Sequence, residues 1–185
     1  MNEKKNLTTE ETFALAVQNQ QKNNIQVAEN LYKETLKSNP NHVNAHNNLG
    51  TVLKELGEHK KAISCYEKAI QINPNYANLY YNLGNILKEL REYQKAIGCY
   101  EKAIQIDPNY ANVYYNLGNI LQELRELQKA KSCYEKLLNL DPTNKKGCSN
   151  YGTLLLKITQ HNKGLAYIRK GDGVIRFTQK DVKII

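Results

Sequence analysis

The chain has 185 residues and a formal net charge of +8, with 41% hydrophobic residues, four cysteines and no tryptophan. Its opening, MNEKKNLTTEETF, carries charge but no apolar run, so no secretory leader is expected, and no stretch approaches the ~18 apolar residues of a membrane span. A soluble cytosolic protein is the expectation. Segment 145–185 holds nine Lys or Arg against two Asp, so the first 144 residues sum to only +1. Such an end suits an acidic partner, nucleic acid or an anionic surface. With no nucleic-acid motif beside it, a solvated basic face is the simpler reading, and neither nucleic acid nor membrane is expected as a partner.

Residues 1–8 are read as a flexible N-terminus. From residue 9 the chain repeats: Pro40, Pro74, Pro108 and Pro142 are each 34 residues apart. Gly50, Gly84, Gly118 and Gly152 keep this step, as do Ala28, Ala62, Ala96 and Ala130, and Tyr32, Tyr66, Tyr100 and Tyr134. A period of this length marks a solenoid whose core is a seam between stacked units. In register the units are 9–42, 43–76, 77–110, 111–144 and a weaker 145–178, whose helical part is expected to end at 170.

Unit 77–110 shows why each unit is a helix pair. Leu79, Leu83, Ile86, Leu87 and Leu90 follow helical spacing, forming helix A. A second run, Ala96, Ile97, Tyr100, Ala103, Ile104 and Ile106, forms helix B, which Pro108 stops. The two are joined by a short turn near Leu90–Glu92. Gly84 and Ala96 are expected where the helix backbones approach closely, with Tyr80, Leu83, Tyr100 and Ala103 filling the remaining space.

In the last unit helix B runs from about His161 to Lys170 and meets Gly171, a suitable stop. Two β-branched bursts follow, Val174–Phe177 and Val182–Ile185. An isolated hairpin is marginal in water, so the tail 171–185 is expected to dock on the last unit. Cys65, Cys99 and Cys133 share one repeat position. Equivalent residues on stacked helices lie about 8–10 Å apart, too far for a disulfide, which needs Cα atoms within roughly 4.4–6.8 Å. They should stay reduced.

The pattern Tyr80, Leu83, Gly84, Leu87, Ala96, Tyr100, Ala103, Pro108 resembles the tetratricopeptide repeat (TPR) family. It recurs as Tyr114, Leu117, Gly118, Leu121, Ala130, Tyr134 and Pro142, and in unit 43–76 with His46 in the aromatic slot. Unit 9–42 keeps Leu15, Ala16, Ala28, Tyr32 and Pro40; unit 145–178 keeps Gly152 and Leu155, has Gly164 where Ala is usual, and loses the Pro. The resemblance implies an all-α, right-handed solenoid of about five antiparallel helix pairs over residues 9–170, acting as a protein-interaction scaffold.

It also implies that the A helices line a concave groove. Residues there not consumed by packing are Asn78, Tyr81, Asn82, Asn85 and Lys88, then Asn112, Tyr115, Asn116, Asn119 and Gln122. Asn48, Asn82, Asn116 and Asn150 form a ladder. An amide carries a donor and an acceptor, so each could pair with a peptide group in both directions. Rungs ~10 Å apart would each serve about three residues of an extended ligand. The ladder resembles that of O-GlcNAc transferase-type proteins, where inward Asn residues bind substrate backbone. The plainer alternative is that Asn is a usual inward residue in such units. The carboxylate clamp of chaperone-binding TPR proteins is incomplete: Lys146 could supply its Lys, but Asn150 stands where its Arg would be.

No catalytic set is visible. Gly171-Asp172-Gly173 is too short for a phosphate loop, and no cofactor is expected. His42 and His46 could chelate a metal weakly, but a helix start with one His packing as an aromatic is the simpler reading, so no metal is expected. The chain therefore reads as a module for a protein or peptide partner and not as an enzyme. Two rivals remain: a substrate-recruiting arm of a glycosyltransferase-like system, and a self-associating scaffold. The expected state is a monomer or a weak homo-oligomer through uncapped ends.

Overall fold

The computed structural model describes residues 7–173 and the backbone of two strands, 175–177 and 182–184. Ten helices lie in this span: α1 Thr9–Gln21, α2 Ile25–Ser38, α3 Val43–Glu55, α4 His59–Ile72, α5 Ala77–Glu89, α6 Tyr93–Ile106, α7 Ala111–Glu123, α8 Leu127–Leu140, α9 Lys145–Lys157 and α10 His161–Asp172. The chain forms two compact bodies, residues 1–106 and 107–185. In the first, α1/α2, α3/α4 and α5/α6 are antiparallel pairs; α2 packs on α3 and α4 on α5, while α1 lies by α3 and α3 by α5. In the second, α7/α8 and α9/α10 pair, α8 packs on α9, and α7 lies by α9. The all-α repeat of helix pairs implied by the 34-residue step is thus realised.

Local chemistry sets the boundaries. Thr8 caps α1 with a reciprocal box: its Oγ1 accepts from Glu11 N at 3.2 Å, and its N donates to Glu11 Oε2 at 2.8 Å. Every A helix ends in a left-handed residue: Asn23 (φ 60°), Gly57 (77°), Arg91 (60°), Arg125 (61°) and Thr159 (64°). Only one of the five is glycine. Each of the first four B helices stops two residues short of its proline, because the residue before proline is pushed out of the helical region. That preceding residue also builds the turn. Asn39, Asn73, Asp107 and Asp141 each accept, on Oδ1, the N–H of the residue two positions on, at 3.0–3.2 Å.

In the three middle pairs the core is a tyrosine on B lodged under a glycine on A. Tyr32, Tyr66, Tyr100 and Tyr134 are essentially unexposed. A Cβ added to Gly84 would lie 2.6 Å from Tyr100 Cε1, with 2.8 Å at Gly50–Tyr66 and 2.9 Å at Gly118–Tyr134. Gly84 therefore makes room for a ring, where the sequence suggested contact between backbones. Backbones do meet in the last pair. There Ile168 replaces the tyrosine, and a Cβ on Gly152 would stand 2.7 Å from Gly164 O. The usual leucine becomes Tyr151, whose hydroxyl donates to Glu135 at 2.7 Å.

Helix α10 passes through Gly171 and stops at Gly173, which has φ 92°. Gly171 faces α9 instead: a Cβ there would meet Ser149 Oγ and lie 2.6 Å from Lys145 O. Strands β1 (Ile175–Phe177) and β2 (Val182–Ile184) pair antiparallel, Ile175 opposite Ile184 and Phe177 opposite Val182. The expected docking of this tail's side chains falls outside the described residues, as do residues 1–6 of the N-terminus expected to be flexible over 1–8; Thr8 of that segment caps α1.

Candidate peptide-binding face

The buried tyrosine rings carry their hydroxyls to the A helices. Tyr100 donates to Asn85 Oδ1 at 2.8 Å, Tyr134 to Asn119 Oδ1 at 2.7 Å, and Tyr32 to Gln20 Oε1 at 2.6 Å, while Tyr66 and Thr51 hydroxyls are 3.2 Å apart. Burial raises all four phenols: Tyr66 to about 12, Tyr100 and Tyr134 beyond it, and Tyr32 upward. They remain donors at neutral pH. Asn85 and Asn119 are thereby held by the tyrosine fifteen residues further on in their own units. That step is present in the sequence, but the repeat pattern marks these tyrosines only as packing volume.

The ladder amides join this polar seam. Asn48 donates to Tyr32 Oη at 3.3 Å and accepts from Asn47 Nδ2 at 3.1 Å. Asn82 Nδ2 donates both hydrogens, to Asn47 Oδ1 at 2.9 Å and to Asn78 Oδ1 at 3.1 Å. Asn150 Nδ2 likewise reaches Asn119 Oδ1 at 2.8 Å and Tyr115 Oη at 3.4 Å. Among the described residues, the carbonyl oxygens of Asn82 and Asn150 accept nothing. Asn82 and Asn150 are therefore one-sided: their donors fix them to the protein, and their acceptors remain available, whereas the Asn48 oxygen is already taken by Asn47. Asn116 is 7% exposed, the most buried of the four.

Around them, Asn112 is exposed, and Asn78, Tyr81, Asn85, Tyr115 and Asn119 are half-buried. The Tyr81 and Tyr100 rings are 6.3 Å apart and tilted by 44°. Lys88 is half-buried, and burial lowers its ammonium pKa, against the opposing pull of Glu89. Within the first body this face is carried by α3 and α5, and within the second by α7 and α9.

The histidine pair is engaged otherwise. His42 Nδ1 accepts from Ala45 N at 3.1 Å and so caps α3, and its ring lies 4.5 Å from that of Phe13. His46 Nε2 is 2.9 Å from Pro40 O. Among the described residues, no three His, Cys, Asp or Glu side chains gather as metal ligands, and no helix is long and apolar enough to cross a membrane. The four cysteines are free, and burial pushes the Cys65 and Cys99 thiols up to about 11.

No curated protein sequence matches the chain. Among solved structures, it is similar to the crystal structure of MamA, with 27% identity and a TM-score of 0.78 over 84% of this chain and 91% of that one. It shares its fold with PilF of Pseudomonas aeruginosa (24% identity, TM-score 0.81, covering 91% and 78%). The same holds for YrrB, described as a TPR protein with an unusual peptide-binding site (21% identity, TM-score 0.73, covering 89% and 84%). The sequence model of the tetratricopeptide repeat matches residues 42–109 and 75–143. Together these residues span more than half of the chain, which therefore belongs to the tetratricopeptide repeat family.

Proposed function

We propose that the chain is a protein-interaction module that binds an extended peptide along its A-helix face, with Asn48, Asn82, Asn116 and Asn150 as backbone contacts. Membership of a family of binding scaffolds supports the general reading, as does the fold shared with a TPR protein named for its peptide-binding site. The observation that carries the finer reading is the one-sidedness of Asn82 and Asn150. Each amide is oriented by two donated hydrogen bonds and leaves its oxygen without a donor. A ligand peptide N–H supplies the missing partner and needs no particular side chain. Tyr81, Tyr115 and Lys88 then act on ligand side chains and set preference.

The test starts from random 12-residue peptides displayed on phage and selected on the full chain. Their affinities are compared for wild type and Asn82→Ala/Asn150→Ala by fluorescence polarisation. A lost hydrogen bond is worth ~0.5–1.5 kcal/mol, so the double variant should bind every selected peptide roughly tenfold or more weakly. Tyr81→Ala should change the ranking of peptides instead. Unchanged affinity in the double Asn variant, with its circular dichroism intact, refutes the ladder.

A further inference from the structure

The two ends of the repeat array differ in exposure and in charge. Helix α1 exposes what later A helices bury: Leu15 is 37% exposed, whereas its counterparts Leu49, Leu83 and Leu117 are 5%, 8% and 6% exposed. With Leu7, itself 50% exposed, and Ala14, Leu15 borders an open hollow of about 470 Å³. What covers this position elsewhere is visible where α9 meets α8. Tyr151, in Leu15's place in the register, lies 6.3 Å from the Tyr134 ring and donates to Glu135 at 2.7 Å. Gly147, in the place of Glu11, abuts Leu137. In the same register, the α10 residues equivalent to Tyr134, Glu135 and Leu137 are Ile168, Arg169 and Gly171.

Two further observations point to the same match. Between α2 and α3 the seam is polar, with Asn48 donating to Tyr32 Oη at 3.3 Å. The equivalent residues at the free ends are Ala14 and Ile168, so neither end carries a polar group that the other must satisfy. The charges are also opposed. Helix α1 carries Glu10 and Glu11 and no basic residue, while α9 and α10 together carry Lys145, Lys146, Lys157, Lys163, Arg169 and Lys170 against Asp172.

We propose that α1 of one copy docks on α10 of a second copy, head to tail, in the register that α9 uses on α8. Leu15 packs on the stem of the exposed Arg169, beside Ile168, which is 4% exposed and packed within its own pair, and Glu10 and Glu11 approach Arg169 and Lys170. The contact is heterologous, so each copy keeps one free end and assembly proceeds past the dimer. It does not depend on the peptide-binding reading.

The test is sedimentation equilibrium of the full chain from micromolar to near-millimolar concentration. The wild-type mass should rise beyond that of a dimer and fall back when salt screens the charges. Leu15→Asn and Arg169→Glu alter exposed side chains, and each should weaken association ~tenfold or more, the first by setting an unpartnered amide in the apolar contact and the second by facing Glu10 and Glu11 with a like charge. An equimolar mixture of the two variants retains one intact interface per pair and should stop at the dimer. A monomeric wild type, association indifferent to Leu15→Asn, or a mixture that stays monomeric while both variants are folded by circular dichroism would each overturn the proposal.

Discussion

Replacing Gly84 by alanine places a methyl carbon 2.6 Å from Tyr100 Cε1 and 2.9 Å from its Cδ1. Carbon atoms rest at about 3.5–4.0 Å, so the overlap is about 1 Å. The ring has nowhere to retreat: Tyr100 is fully buried, its hydroxyl is held by Asn85 at 2.8 Å, and the Tyr81 ring stands 6.3 Å away. Overpacking of this kind costs ~1–3 kcal/mol. Alanine returns about 0.8–1.0 kcal/mol of helix propensity, leaving a net loss of roughly 0–2 kcal/mol. Gly98, on the partner helix α6, is the internal control, because a Cβ there meets nothing within 4 Å. Gly98→Ala should gain the propensity term alone. The difference between the two variants isolates the overpacking term, ~1–3 kcal/mol. It is read from urea midpoints by circular dichroism at constant m. Equal shifts of the same sign in both variants would show that Tyr100 yields, and would refute the account of Gly84 as space for a ring.

Two other outcomes follow from the packing. Burial raises the Cys65 and Cys99 thiols from 9.0 to about 11, so the folded chain holds these protons more tightly than the unfolded one. Their contribution is complete below pH ~9 and is lost as pH rises towards ~11. Wild type should therefore lose more of its urea midpoint across that window than Cys65→Ala/Cys99→Ala; equal losses would contradict the assignment. Gly152→Ala sets a methyl 2.7 Å from the backbone oxygen of Gly164, which no rotamer change relieves. It should loosen α9 and α10 by ~1–3 kcal/mol, seen as faster hydrogen exchange across residues 145–172, with 43–76 unchanged.

The helix pairs were legible because the 34-residue step and the helical apolar spacing agree at Leu83, Leu87, Ala96 and Tyr100. The prolines gave the ends of the B helices, but not the Asx turns built by Asn39, Asn73, Asp107 and Asp141, since a side chain's hydrogen bond leaves no trace in apolar periodicity. The left-handed turn showed itself only at Gly57. At Arg91, Arg125 and Thr159 the repeat geometry imposes that conformation on residues that do not announce it. Glycine itself is ambiguous. Gly171 looked like a helix stop and is a contact surface, while the stop lies two residues later. The ladder positions could be read from the register, but not which half of each amide the protein itself consumes, because that depends on Asn78 a turn earlier and on Asn47, Asn119 and Tyr115 on the preceding A helix.

The tyrosine and amide seam also bears on how such a chain can lengthen or be rebuilt. Apolar contacts between helices tolerate sliding by a turn, about 5.4 Å, but donor–acceptor links of fixed length do not. Unit 43–76 carries a link in each direction, from Asn48 back to Tyr32 and from Asn47 forward to Asn82. A tandem copy of that unit inserted beside itself would find both partners waiting, in one alignment. Unit 145–178 has Ile168 where the hydroxyl should be, so a copy placed after it would meet no such anchor. The seam thus makes the middle of the array a unit of insertion and its last pair a terminus, and it gives an engineer a rule for where a repeat can be added.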